Sequence, residues 1–139
     1  MTPKRFLDTN ILIYSISNDP RERAKRDIAV GVVEQADNAL SVQVLQEFYV
    51  QATRASRPDP FPHELAVGFA RTWIERFPVQ DVTDSILERA FEIKAAARLS
   101  YWDAAIIAAA SALGCDALLT EDMQHGQTID GVRIVNPFR

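Results

Sequence analysis

Short apolar runs alternate with longer segments of helical periodicity along this chain. A short apolar run bounded by polar or turn residues is typical of a strand buried in a parallel sheet. In the longer segments apolar residues recur every three or four positions, which is the spacing of an amphipathic helix. Strands are predicted at residues 5–7, 39–42, 78–82, 117–120 and 132–135, and helices at residues 9–14, 20–35, 44–52, 63–77, 83–99 and 102–113.

This alternation predicts an α/β fold, in the form of a three-layer α/β/α sandwich with a mostly parallel central sheet. The proline-rich residues 57–62 cannot be helical and are too short to link two domains. A length of 139 residues, 47% of them hydrophobic and 24% charged, excludes a disordered chain and suits one ordinary globular unit. We therefore expect a single domain over residues 1–139.

The helix at residues 102–113 is almost wholly apolar, and only Asp103 and Ser111 are polar. Such a helix is expected to be buried on every side, and Gly114 is suited to end it. Trp102 is accordingly predicted to pack in the core. The alternative, in which Tyr101 and Trp102 stack on a nucleic-acid base, stays open.

Composition excludes several classes of site. Cys115 is the only cysteine, which rules out an intramolecular disulfide and a cysteine-based zinc or iron–sulfur centre. The two histidines, His63 and His125, are too few and too far apart in sequence to define a zinc or iron site. No apolar stretch approaches the ~20 residues that span a bilayer, and the start lacks the apolar core of a signal peptide. We expect a cytoplasmic protein with no membrane segment.

The net charge of −4 argues against a general polyanion binder. Positive charge is nevertheless concentrated in one short segment. Such a cluster is usually a solvated helix face, and it contacts phosphate only if it borders an active site. The cluster consists of Arg21, Arg23, Lys25 and Arg26.

Acidic residues follow the predicted strands. Asp8 comes directly after the first strand, and Asp122 follows the strand at residues 117–120. Glu47 lies near the start of the helix that follows the second strand, and Asp103 begins the buried helix. Because parallel strands end at the same edge of a sheet, where ligands bind, the four acids are expected to meet there.

The chemistry of such a cluster follows from its charge. A carboxylate in the apolar run around Asp8 costs several kcal/mol to desolvate unless its charge is compensated. Carboxylate oxygens suit Mg²⁺ or Mn²⁺, and these ions favour phosphodiester hydrolysis. One ion lowers the pKa of a bound water and a second, if present, stabilises the leaving oxygen. No nucleophilic side chain is then required.

Each acid also has a purely structural alternative. Asp8 is a favoured N-cap, and Asp103 would be stabilised by the dipole of its helix. Glu47 would be a solvated helix position and Asp122 a loop residue. Four polar residues beside the acids are candidates to orient substrate or ligands, with a capping role as the alternative: Thr9, Asn10, Ser41 and Thr120.

Four segments, in this order, resemble the PIN domain family and within it the toxin ribonucleases of VapC type. The resemblance covers nearly the whole chain. It is carried by residues 6–14 (FLDTNILIY), 41–48 (SVQVLQEF), 100–106 (SYWDAAI) and 118–122 (LLTED).

This resemblance implies a magnesium- or manganese-dependent endoribonuclease that cuts RNA, forms a homodimer and is inhibited by a cognate antitoxin inserted near the acidic site. It assigns the core acids to Asp8, Glu47 and Asp103. The fourth acid, which is more variable in the family, falls on Asp122 in a Thr-x-Asp pattern that starts at Thr120. The adjacent Glu121 leaves open which of the two carboxylates faces the metal, and Asp122 is preferred.

Two other classes stay open. A phosphotransfer or receiver domain also places acids at strand ends. It would need a second acid where Asn10 stands, or a lysine after a late strand, and neither is present. The other class is a catalytically silent binding module that keeps the PIN-like fold for its partner, and the four intact acids argue against it.

Overall fold

The computed structural model describes residues 3–139, so the first two residues of the predicted domain lie outside the described part. The strands are Arg5–Leu7 (β1), Asn38–Ser41 (β2), Val79–Gln80 (β3), Ala117–Leu119 (β4), Thr128–Ile129 (β5) and Val132–Val135 (β6). They form one sheet in the order β3-β2-β1-β4-β6-β5. All neighbours pair in parallel except β5 and β6, so the predicted mostly parallel sheet is confirmed.

Helices cover both faces of this sheet. They are Thr9–Ser15 (α1), Arg23–Val33 (α2), Val42–Thr53 (α3), His63–Arg76 (α4), Asp84–Ala96 (α5) and Tyr101–Ala112 (α6). Helix α1 packs against α2 and α3, and α3 packs against α4. Helix α6 packs against α5 and against β2, β4 and β6. With right-handed crossovers, α1 to α4 lie on one face and α5 and α6 on the other, which confirms the three-layer sandwich.

Two predicted helices differ from the observed ones. The segment at residues 20–35 divides into a 3₁₀ turn, Pro20–Glu22, and α2. The Asp19 carboxylate accepts a hydrogen bond of 2.9 Å from the Arg21 N–H, which favours the tighter turn. The helix predicted over residues 83–99 ends at Ala96 because Ala97 has an extended backbone.

The last part of the chain forms a hairpin that the sequence does not fully predict. The five predicted strands do not include Thr128 and Ile129, which form β5. The turn itself is Asp130-Gly131, where both φ angles are positive, 52° and 79°. Two positive φ angles give the hairpin turn whose twist matches the strands on either side.

Helix α6 is the centre of the core. Residues 104–110 are all buried, and Gly114 ends the helix with a φ of 74°, as predicted. The prediction that Trp102 packs in the core is wrong, because 63% of this residue is exposed. The first turn of α6 lies at the rim of the sheet beside the start of α3, where the Gln43 amide donates to the Trp102 carbonyl oxygen. Within residues 3–139, no helix has the length and apolar character needed to cross a bilayer.

Candidate active site

The carboxyl ends of β1 and β4 form a crevice that contains Asp8 and is flanked by Asp122 and Glu47. The chain leaves β1 towards β2 on one side, whereas β4 lies on the other side, so this is the topological switch point of the sheet. The Asp8 N–H donates to the Leu119 carbonyl oxygen at 3.0 Å, which extends the pairing of the two strands to their ends. Asp8 and Thr120 therefore lie side by side.

Asp8 is a buried carboxylate that accepts hydrogen bonds from two donors. Only 5% of the residue is exposed. Its Oδ1 accepts from the Thr9 N–H at 2.7 Å and its Oδ2 accepts from the Thr120 hydroxyl at 2.8 Å. Asp8 is also the N-cap of α1. A capping role and a metal-binding role are thus compatible for Asp8.

The environment of Asp8 disfavours its charge. The pKa of Asp8 is raised from 3.8 to about 6, chiefly by burial and to a smaller extent by the charges of Asp122 and Glu47, against the hydrogen bonds from Thr120 and Thr9. No positive charge of residues 3–139 is among the causes of this shift. Asp8 therefore remains an uncompensated acid at the bottom of the crevice.

Thr120 connects three parts of the site. Its hydroxyl donates to Asp8 and accepts from the Asn10 amide at 3.3 Å and from the Asp122 N–H at 3.1 Å. A hydroxyl has one proton and two lone pairs, so every hydrogen-bonding position of this buried group is used. The contacts hold Asn10 and the turn after β4 against Asp8.

Glu47 reaches the same crevice from α3. Its Oε2 accepts from the Thr9 hydroxyl at 2.9 Å, and its Oε1 accepts from the Gln43 amide at 3.3 Å. Gln43 precedes Glu47 by four residues and therefore lies on the same face of the helix. The sequence interpretation missed Gln43, although this spacing could have indicated it.

Ser41 caps α3, since its hydroxyl oxygen accepts from the Val44 N–H at 3.2 Å. This contact supports the capping alternative.

Asp103 lies in the first turn of α6, where Ser100 is the N-cap. Burial raises the pKa of Asp103, and the charges of Asp122 and Glu47 add to the rise against a hydrogen bond from Ser100. Asp103 therefore lies within the electrostatic field of the other acids.

The two candidates for the fourth acid have different surroundings. Asp122 accepts from the Asn10 amide at 3.0 Å and its charge acts on Asp8 and Asp103. Glu121 instead accepts from the Tyr14 hydroxyl at 2.5 Å and from the Lys25 ammonium at 2.6 Å. Burial alone would raise the pKa of Glu121, but these two bonds hold it below its usual range. The geometry favours Asp122, and its role as a ligand stays a prediction.

The basic cluster is largely engaged with acids of the chain itself. Arg21 pairs with Asp19 at 2.9 Å and Lys25 with Glu121. Arg26 lies 3.9 Å from Asp27. These pairs favour a structural or solvated role for the cluster, and only Lys25 adjoins the crevice.

The family model of the PIN domain matches residues 5–128. This chain belongs to the PIN domain family. The matched range contains Asp8, Glu47, Asp103 and Asp122, together with both strands that form the crevice. A comparison with curated proteins gave no match.

Solved structures share the fold of this PIN domain at low sequence identity. A toxin–antitoxin complex from Klebsiella pneumoniae is 24% identical, with 96% of this chain and 98% of that chain covered and a TM-score of 0.69. DNA-bound VapBC from Salmonella typhimurium is 21% identical, with coverages of 95% and 96% and a TM-score of 0.64. VapC20 from Mycobacterium tuberculosis, a sarcin–ricin loop cleaving toxin, is 20% identical, with coverages of 83% and 87% and a TM-score of 0.62.

The donor atoms of this PIN domain fit a hard divalent cation. Asp8 is a buried carboxylate without a positive partner, and the surrounding groups offer oxygen only. In the described residues, no three carboxylate, imidazole or thiol side chains are close enough to hold one ion as they stand. Mg²⁺ accepts one or two carboxylates completed by water and substrate phosphate. Asp8 and one neighbouring acid are therefore sufficient as protein ligands of Mg²⁺.

Replacing Thr120 by valine is expected to destabilise the protein at neutral pH. Valine has nearly the shape of threonine but cannot donate to Asp8, and a buried charged acceptor that loses its donor costs about 1–3 kcal/mol. Differential scanning calorimetry should show a lower melting temperature than for Thr128→Val, which changes an exposed threonine of β5. Equal melting temperatures of the two variants would show that the Thr120 hydroxyl does not stabilise the Asp8 carboxylate.

Proposed function

We propose that this PIN domain is an endoribonuclease dependent on Mg²⁺ or Mn²⁺, which hydrolyses RNA phosphodiester bonds and acts as the toxin of a toxin–antitoxin pair. One observation carries this proposal. The buried Asp8 lies at the switch point of the sheet, in the field of Glu47 and Asp122, and no positive side chain within residues 3–139 compensates its charge. A site of this kind attracts a cation and, through it, a phosphate.

We assign metal ligation to Asp8, Glu47, Asp103 and Asp122. A bound divalent cation would supply positive charge for the phosphate and lower the pKa of a water molecule. Thr120 and Thr9 hold the carboxylates of Asp8 and Glu47 in fixed orientations, as outer partners of ligands do. Asn10 does the same for Asp122. The protein thus contributes orientation and negative charge rather than a nucleophile.

Membership of the PIN domain family and the toxin–antitoxin complexes that share its fold support the assignment as a toxin. On this basis we propose for this chain the partners expected from its sequence: an RNA substrate, a cognate antitoxin protein and a second copy of the chain. An RNA substrate also implies action in the cytoplasm.

The experiment that tests this function is incubation of the purified protein with total RNA in Mn²⁺, in Mg²⁺ and in excess chelator, with the new ends mapped by sequencing. We expect discrete cleavage sites with either ion and none in chelator. Coexpression with the neighbouring reading frame should suppress cleavage if that frame encodes the antitoxin. Cleavage that persists in chelator would contradict the proposal.

The second candidate is a catalytically silent PIN module. It is favoured by one observation, namely that no three acids of residues 3–139 are close enough to share an ion. The same incubation separates the two, because a silent module produces no new ends with any ion. The family match leaves no support for the phosphotransfer alternative.

A further inference from the structure

A pocket of about 240 Å³ opens beside Gln43, one helical turn before Glu47, and beside Trp102, the residue before Asp103. It lies between the start of α3, the segment that joins β3 to α5, and the first turn of α6. Among its lining residues are Ser41, Gln43, Gln80, Thr83, Tyr101 and Trp102. Pockets that hold drug-sized molecules are about 300–1,000 Å³, so this one suits a smaller group.

The exposed indole of Trp102 is the main feature of this pocket. The residue is 63% exposed and its ring is in edge-to-face contact with Tyr101, with the ring centroids 5.1 Å apart. Tyr101 in turn contacts Phe91 at 5.8 Å, so the indole is backed by other aromatic rings. An aromatic ring held in place and open to solvent is a platform on which a base can stack, because every base has a π-face.

Two lining residues, Gln43 and Trp102, connect the pocket to Glu47 and Asp103. The Gln43 amide donates to the Glu47 carboxylate at 3.3 Å and to the Trp102 carbonyl oxygen at 3.2 Å. Trp102 also directly precedes Asp103. A chain that placed a phosphate at the acids would therefore have its neighbouring nucleotide within reach of the indole.

The charge of the lining selects against phosphate. The lining described by the structure contains no lysine or arginine, and it includes Asp81 and Asp84. Three carboxamides, Gln43, Gln46 and Gln80, also line it. A carboxamide presents a donor and an acceptor side by side, as the edges of bases do. Both N–H groups of the Gln43 amide are already used, so it offers only its oxygen, whereas Gln46 and Gln80 each offer a donor and an acceptor to a neutral planar ring.

We propose that this pocket binds one unpaired nucleobase next to the scissile phosphate, with Trp102 as the stacking platform and the carboxamides on the base edge. This assignment rests on the proposed function, since it takes RNA as the substrate. A base inserted here must be outside a duplex. The pocket therefore selects single-stranded or looped RNA and determines the preference for the base beside the cut.

The test measures binding of labelled RNA to the Asp8→Asn protein, in which turnover does not consume the probe. The probes are short single-stranded homopolymers of U, C and A and a blunt RNA duplex, followed by fluorescence anisotropy. Trp102→Ala should weaken binding of at least one single-stranded probe by roughly 5- to 150-fold, the range that corresponds to loss of one stacked base. Trp102→Phe should keep most of the affinity.

A control variant and a second readout belong to this experiment. Leu65→Ala removes an apolar side chain of α4 that is 46% exposed and does not line the pocket, and it should leave binding unchanged. Intrinsic fluorescence gives a second readout, because the only other tryptophan, Trp73, is 5% exposed. The single-stranded probe should quench the indole emission with the same midpoint as the anisotropy.

Unchanged RNA affinity in Trp102→Ala would overturn the base-binding assignment, and so would RNA binding that leaves the indole emission unquenched in the protein that keeps Trp102. So would a change of oligomeric state in sedimentation with unaltered RNA affinity, since the patch would then be a protein interface. Cleavage by the unmutated protein, measured in parallel with Mn²⁺, separates the two proposals. Cleavage without any effect of Trp102 on binding contradicts only the base pocket, whereas quenching and weakened binding without cleavage support the pocket and contradict the nuclease.

Discussion

Replacing Asp8 by asparagine is expected to lower RNA cleavage by more than about 100-fold while leaving the circular dichroism spectrum unchanged. Changes to outer partners of metal ligands typically cost 10–100-fold, and loss of a ligand charge should cost more. The fold should persist because asparagine keeps the size of aspartate and one acceptor for the Thr9 N–H, and because it removes a charge whose burial is unfavourable. The measurement is the rate of cleavage of a mapped RNA site in Mn²⁺.

Asp116→Asn is the matched control for this substitution. Asp116 is exposed and lies just before β4, at the end of the strand opposite to Thr120. The same chemical change at that position should leave the rate unaltered. Equal rates for Asp8→Asn and the unmutated protein would show that the Asp8 charge takes no part in the reaction.

Lowering the pH should stabilise the metal-free protein through Asp8. The pKa of this carboxyl is about 6 when folded, against 3.8 for the ordinary group, because of burial. The folded state then binds the proton more tightly, so the free energy of unfolding falls as the pH rises between these values and stays low above them. From about pH 7.5 to about pH 4.5 this group alone should add about 2 kcal/mol, or roughly 5 °C in melting temperature.

The measurement is thermal unfolding in chelator over this pH range, for the unmutated protein and for Asp8→Asn. Glu121, whose pKa is lowered by Lys25 and Tyr14 against its burial, acts in the opposite direction. Groups away from Asp8 contribute equally to both proteins, so the difference between the two pH profiles reports Asp8 together with its coupling to Glu47 and Asp122. Parallel profiles would show that Asp8 carries no penalty in the folded state.

The sequence was sufficient to predict the parallel strands of the sheet and the place of Asp8 at their carboxyl edge, because both follow from local pattern. Asp8 directly follows an apolar strand, and β1 lies beside β4 in parallel register. Given parallel strands, the residues after them must lie at the same edge. Asp8, Thr120 and Asn10 therefore come together through hydrogen bonds that the strand ends alone position.

The exposure of Trp102 and the choice of the fourth acid depended on contacts between distant segments. Trp102 has the sequence environment of a core residue, and its exposure follows only from where the first turn of α6 lies relative to α3. The choice between Glu121 and Asp122 likewise depended on Lys25 of α2, which reaches across to Glu121. A periodicity identifies the apolar face of a helix but not which of its ends projects beyond the sheet.

The claim that acids at the ends of β1 and β4 hold a catalytic cation is tested most directly by titrating Mn²⁺ into the protein in a calorimeter. The unmutated protein and Asp116→Asn should bind Mn²⁺ alike. Binding should be lost in Asp8→Asn and weakened in Asp122→Asn, whereas Glu121→Gln should bind as the unmutated protein does. Undiminished Mn²⁺ binding in Asp8→Asn would contradict the account, since the ion would then be held somewhere else.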